Sequence, residues 1–143
     1  MSSHTTLLGA AGEHYVMSQL LRRGLIAALA PQGVPMADIV VTDLGGDRLC
    51  SVQVKSRRDI GSDKGWHFQP KHASNPPARL FYCLVDFGKS ERDHPTIYVM
   101  PSAKIAEVLT ATYAMARNAR KKGSGTQRDD CATTYSRLLE GVR

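Results

Sequence analysis

Two runs rich in β-branched residues flank a glycine pair. MADIVVTD precedes Leu44-Gly45-Gly46-Asp47, and RLCSVQVKS follows it. A Gly-Gly pair between such runs predicts a hairpin. Centring the turn on Gly45 and Gly46 sets Asp38 opposite Gln53, Ile39 opposite Val52 and Val41 opposite Cys50. The two-residue period of a strand then gathers Ile39, Val41, Cys50, Val52 and Val54 on one face and Asp38, Gln53 and Lys55 on the other. A slip of one residue would turn the whole apolar set outward, so the pattern selects this register. A carboxylate, an amide oxygen and an ammonium are thereby expected side by side on neighbouring strands.

The rest of the chain builds around this hairpin. Residues 5–23 read as a helix, with Ser2, Ser3, Thr5 and Thr6 as N-cap candidates and Gly24 placed to end it. A short strand is expected at 25–30, closed by Pro31-Gln32-Gly33. Residues 57–79, with their prolines, glycines and polar groups, read as a long loop in which Trp66 and Phe68 form a short extended piece. LFYCLVDF (80–87) is almost continuously apolar, as a central strand covered on both faces must be. TIYVM (96–100) follows as a strand, then a helix over 103–118 and a last helical turn or two around 130–140. The expected order is α-β-β-β-β-β-α-α: an α/β chain with one mixed five-stranded sheet flanked by helices. Its 143 residues suit a single domain.

Composition excludes several classes. No apolar run approaches the ~20 residues of a membrane span. The opening MSSHTTLLGAAGEHY has no basic segment ahead of an apolar one, so no signal peptide is expected. Cys50, Cys83 and Cys131 are odd in number and far apart, which fits neither a disulfide framework nor a zinc site and suits a reducing cytoplasm. The net charge of +6 is unevenly placed. Residues 57–79 hold Arg57, Arg58, Lys64, Lys71 and Arg79 against Asp59 and Asp63, and residues 117–143 hold seven basic groups, Lys121 and Lys122 among them, against three acids. An excess confined to a loop and a C-terminal segment suits a polyanionic partner such as DNA; it also suits two merely solvated segments.

The first helix adds a fourth polar group. Gly9, Glu13, Val16, Met17 and Leu20 form one stripe that should dock on the sheet. A carboxylate within such a stripe is costly unless it finds a cation or a hydrogen-bond partner, although acids also favour the first turns of helices for their own sake. Glu13 on an N-terminal helix, Asp38 on one strand and Gln53-Val54-Lys55 on the next together resemble the PD-(D/E)XK nuclease superfamily. That superfamily includes restriction endonucleases, Holliday-junction resolvases and transposon-end nucleases. The resemblance covers residues 7–57. Ala37 stands where the family has proline, and Gln53 stands where it has an acid, a Q-V-K variant similar to that of the transposon-end nucleases.

The resemblance implies a restriction-endonuclease-like fold and a metal-dependent DNA endonuclease. Mg²⁺, or Mn²⁺, takes oxygen ligands. Asp38, Glu13, the Gln53 amide oxygen and the Val54 carbonyl would supply them, while Lys55 would orient the attacking water and offset charge on the phosphorane. Arg57, Arg58, Lys64, Lys71, Arg79, Lys121 and Lys122 would contact DNA. No separate recognition domain fits in the chain, which points to structure-selective cutting, a homodimer or a targeting partner subunit. A catalytically inactive, nuclease-like module that binds nucleic acid or protein is the alternative, in which Lys55 and Glu13 form only an internal ion pair; a toxin-neutralising or regulatory partner on the same scaffold is a third reading. Among weaker candidates, Trp66 is expected to fold back on the core rather than stack on a base, with His67 beside it. His14 is expected in solvent, Asp43 and Asp47 in turn chemistry, and Tyr113 and Met115 in the core or an interface.

Overall fold

A computed structural model describes residues 4–60 and 65–121, with side chains to residue 118. The elements run α1 (His4–Arg22), β1 (Ile26–Leu29), β2 (Ile39–Thr42), β3 (Cys50–Arg57), a 3-10 turn (Pro70–Ala73), β4 (Leu80–Asp86), β5 (Thr96–Pro101) and α2 (Ser102–Lys121). They form the expected α/β architecture, a mixed five-stranded sheet in the order β1-β2-β3-β4-β5 between helices. All neighbours pair antiparallel except β3 and β4, which are parallel. The turn expected at 130–140 lies outside the described residues. Among the described residues no helix is long and apolar enough to cross a membrane.

Each face of the sheet carries its own core. Val16 of α1 packs on Ile39, Val41, Val52, Cys83 and Val85. On the opposite face Ile105, Val108 and Leu109 of α2 join Trp66, Leu80, Tyr82 and Leu84. Their i, i+3, i+4 spacing makes one helical stripe, and each fully buried Ile or Leu contributes about 1.5–3 kcal/mol. Both sides of β4 are thereby covered, as its unbroken apolar run requires. Helix α1 ends as the sequence implies: the Gly24 N–H donates to Leu21 O (3.0 Å) and the Leu25 N–H to Leu20 O (3.2 Å), the paired bonds of a Schellman motif.

The hairpin keeps its expected register, with Ile39 opposite Val52, Val40 opposite Ser51 and Val41 opposite Cys50. Its turn is wider than two residues. Strand pairing stops at Val41 and Cys50, because Asp43 captures the returning chain instead of the ladder. Its carbonyl accepts the Gly46 N–H (3.0 Å), and its carboxylate accepts the N–H groups of Asp47 and Arg48 at 3.0 and 3.3 Å. Gly46 has φ 77° there, a conformation that an L side chain resists.

Helix α1 lies tightly against β3 at Gly12. A Cβ on that residue would collide with Ser56 Oγ and lie 3.1 Å from Ser56 Cβ and 3.4 Å from Val54 Cγ1. The missing side chain therefore sets the distance from α1 to the sheet, and with it the position of Glu13 one residue along.

Candidate functional site at the fork between β2 and β3

Strand β3 pairs with β4 along Ser51–Arg57 but with β2 only from Cys50 to Val52. From Gln53 onward its β2-side edge is unpaired, and the two strands part like a fork. Asp38 stands at the crotch. In a regular strand the N–H and C=O of one residue face the same neighbour. Asp38 breaks this rule: its N–H donates to Val52 O on β3 (2.9 Å), and its C=O accepts from the Ala30 N–H beside β1 (2.8 Å). This bulge-like twist re-aims the side chain. The Asp38 carboxylate Oδ2 accepts the Val54 N–H at 2.7 Å, the place a ladder carbonyl would have taken.

The expected Asp38–Gln53 pair is therefore not formed, and the ladder stops one residue short of it. The cause is the bond to β1, which turns the Asp38 peptide out of register. What results is a carboxylate fixed in the gap between strands rather than one lying on a sheet face.

Glu13, on α1, lies within electrostatic range of this carboxylate. Burial raises its pKa above the ordinary value, the negative Asp38 raises it further, and His14 opposes both. Lys55 answers from the opposite side of the sheet. Burial lowers its pKa, Asp38 works against that, and Lys71 adds to it. The Lys55 ammonium lies over the Phe68 ring, 5.0 Å from its centroid, an arrangement that holds a cation at a fixed place. The structure thus sets Asp38 in hydrogen-bond contact with the Val54 backbone and within electrostatic range of Glu13 and Lys55.

Gln53 sits on the Lys55 face, paired across the parallel strands with Tyr82. Its Oε1 is buried and has no hydrogen-bond partner, and the same holds for the Tyr82 hydroxyl. A buried amide oxygen left open is costly, and it is the kind of neutral donor a hard cation takes. Among the described residues no group of three or more His, Cys, Asp and Glu is arranged to hold a metal. The donors at the fork are the Asp38 carboxylate, the Glu13 carboxyl whose ionisation burial and Asp38 make costlier, one orphaned amide oxygen and strand backbone. That set fits a divalent cation, whose charge would relieve the repulsion.

The basic residues expected at DNA are dispersed. The Arg57 guanidinium donates from Nε to Asp86 Oδ2 at 3.0 Å and from Nη2 to the same oxygen, and it lies over Trp66, 4.6 Å from the ring centroid. Arg58 is half-buried near the fork, and Lys71 is exposed on the 3-10 turn. Arg79 is at the other end of β3, where its carbonyl accepts the Ser51 N–H. Lys64 and Lys122 lie outside the described residues, as does the side chain of Lys121. Trp66 folds into the core, and its indole N–H donates to Val85 O (3.3 Å). His14 is exposed, Tyr113 packs on the α2 core and Met115 is exposed.

Residues 66–73 are more ordered than a loop reading implies. Buried His72 stacks edge-on against Phe68 and Tyr82 at 5.7 and 6.1 Å, and its Nδ1 accepts the Gln69 N–H at 2.8 Å. Burial lowers its pKa below the ordinary 6.5, the Gln69 carbonyl, 3.0 Å from the same nitrogen, opposes this, and Lys55 and Lys71 lower it further. Such an imidazole binds a proton more tightly in the unfolded chain. Its contribution to stability is complete above the unfolded pKa and is lost as pH falls through the folded one. The urea midpoint should therefore drop between about pH 7.5 and about pH 5, and His72→Phe should flatten that part of the profile. An unchanged slope in the variant would assign the acid sensitivity elsewhere.

No protein-family model matches the sequence, and no curated protein matches it. Among solved structures, a bacterial homing endonuclease is similar to this chain at 22% identity and a TM-score of 0.47, over 71% of this chain and 67% of that one.

Proposed function

We propose that this chain is a metal-dependent DNA endonuclease of the PD-(D/E)XK type, acting as a single domain. The observation that carries the reading is the Asp38 carboxylate, pinned at the strand fork by the Val54 N–H at 2.7 Å and electrostatically coupled to Glu13 and Lys55. Asp38, Glu13, Gln53 Oε1 and the Val54 carbonyl would hold Mg²⁺ or Mn²⁺. Bound there, the cation supplies Lewis acidity at a phosphoryl oxygen.

The chain's own groups do the rest. Lys55, held over Phe68, orients a water for in-line attack and offsets the charge that grows on the phosphorus oxygens. Its lowered pKa eases hydrogen-bond exchange with that water. Phe68 and His72 wall the site from solvent on the Lys55 face, which strengthens each electrostatic contact. Arg58 and Lys71 meet neighbouring phosphates. The choice of DNA site falls to DNA structure, a second copy of the chain or a targeting subunit.

Gln53→Glu tests the assignment. It keeps a ligand oxygen in place and adds a charge, so the Mg²⁺ concentration for half-maximal cleavage should fall several-fold, with cleavage retained. No cleavage by either protein under Mg²⁺ or Mn²⁺, with DNA still bound, would favour the inactive DNA-binding module instead.

A further inference from the structure

A five-stranded sheet is roughly 20 Å wide, and one helix about 10 Å across covers only half of a face. Helix α1 packs chiefly on β1 and β3. Strand β5 is left open on that side. Val99 pairs with Cys83 and so faces the α1 side of the sheet, yet it is 61% exposed.

Two clefts, of about 270 and 430 Å³, run along this gap and share Pro95. One wall is α1, which contributes every fourth residue from Leu7 to Arg23, a length of about 24 Å. The other wall is Phe87, Ile97 and Val99. Residues four apart form the ridges along which one helix packs against another. A trough of helical length, with an apolar strand on one side and such a ridge on the other, is shaped for a second helix.

The chain itself carries a segment of the right pattern. Cys131, Tyr135, Leu138 and Leu139 fall at i, i+4, i+7 and i+8, one apolar stripe in helical spacing. Asp129 and Asp130 offer an N-cap, and Gly141 is placed to end the helix. Eleven residues, 130–140, make a helix about 16 Å long, which fits within the trough. A helix that short is marginal in water without a surface to hold it. The reach is sufficient. Ten residues carry the chain from Lys121, the end of α2, to Cys131, up to about 35 Å when extended. Helix α2 packs on β4 and β5 from the opposite face, so the chain has only to round β5, the edge strand, across two layers of about 10 Å each.

We propose that residues 130–140 of the same chain dock as a helix in this trough, with the apolar stripe against Val99 and the α1 ridge. The docked segment fastens α1, and with it Glu13, against β5. The tether favours this occupant over a second copy, because it holds the segment at an effective concentration in the millimolar range. The proposal is independent of the nuclease reading.

Thiol crosslinking in the dilute full chain tests it, with native Cys131 as one partner in a Cys50→Ser background. Cys83 is 3% exposed, and burial pushes its thiol up to about 12, so it stays unreactive. The second thiol is Leu7→Cys or Arg23→Cys, at the two ends of the trough, or Leu44→Cys on the β2–β3 turn as the control. All three positions are exposed. After a short bismaleimide and peptide mapping, Cys131 should join at least one trough end within the same chain, roughly tenfold more than it joins Leu44→Cys. Leu138→Asp should bring that yield down to the control level, since a carboxylate would enter the apolar trough. Yields at both ends no higher than the control would overturn the proposal, as would a yield that Leu138→Asp leaves unchanged. Crosslinks found only between two chains would assign the trough to a second copy and overturn it as well.

Discussion

Asp38→Asn is expected to slow metal-dependent DNA cleavage by about 10²–10³-fold, the scale of losing one group that stabilises transition-state charge. Asparagine keeps a side-chain oxygen where Asp38 Oδ2 accepts the Val54 N–H, so the fork should keep its shape and DNA affinity should change little. What disappears is the charge that faces Glu13 and Lys55. Single-turnover cleavage beside equilibrium DNA binding separates the two effects. A parallel fall in both would mean that Asp38 serves the fold, because no oxygen would then have been lost from chemistry alone. Asp38→Ala is the less informative change, since it also strands the Val54 N–H.

Gly12→Val is expected to cost about 3 kcal/mol of stability, the upper part of the range for overpacking a tight contact. Rotating Ser56 could move its Oγ aside, but its Cβ and Val54 Cγ1 would remain at 3.1 and 3.4 Å from the new Cβ. Both belong to a strand held on its other side by β4, so α1 must move instead. Glu13 rides on α1, which means the substitution should also weaken the metal response of any cleavage that survives. A urea titration measures the loss, and Ser56→Gly in the same chain should recover part of it. Gly12→Ala is the sharper control: in an open helix it would gain about 1 kcal/mol. A stabilised Gly12→Ala protein would show that α1 does not touch β3 at this point.

What was legible in the sequence, and what was not, follows from the range of the interactions involved. The hairpin register could be read because alternation allows one solution, and the structure keeps Ile39 opposite Val52. The departure of Asp38 could not, since it depends on a hydrogen bond to Ala30, just past a strand that the hairpin pattern does not contain. Gly12 escaped notice because periodicity is read from side chains and a glycine has none; its spacing of four from Val16 was the available signal. Arg57 reads as a phosphate contact from charge alone. Its partner Asp86 lies 29 residues on and is brought opposite it by the parallel pairing of β3 with β4. Residues 66–73 look like loop because prolines and polar groups dominate them. Their order comes from Trp66, Phe68 and His72 packing on β4 and the α2 core, which is tertiary information. Glu13 and Lys55 could be proposed from type and position, and the sign of each pKa shift came only with burial.

The central claim is that these groups cut DNA with a divalent metal. Its most direct test is conversion of supercoiled plasmid to nicked and linear forms by the purified chain, in Mg²⁺, in Mn²⁺ and in chelator, with Lys55→Met prepared identically. The account predicts cleavage with either metal, none in chelator, and a loss of about 10²-fold or more in Lys55→Met at unchanged DNA affinity. Cleavage that persists in chelator, or that Lys55→Met retains in full, would contradict it.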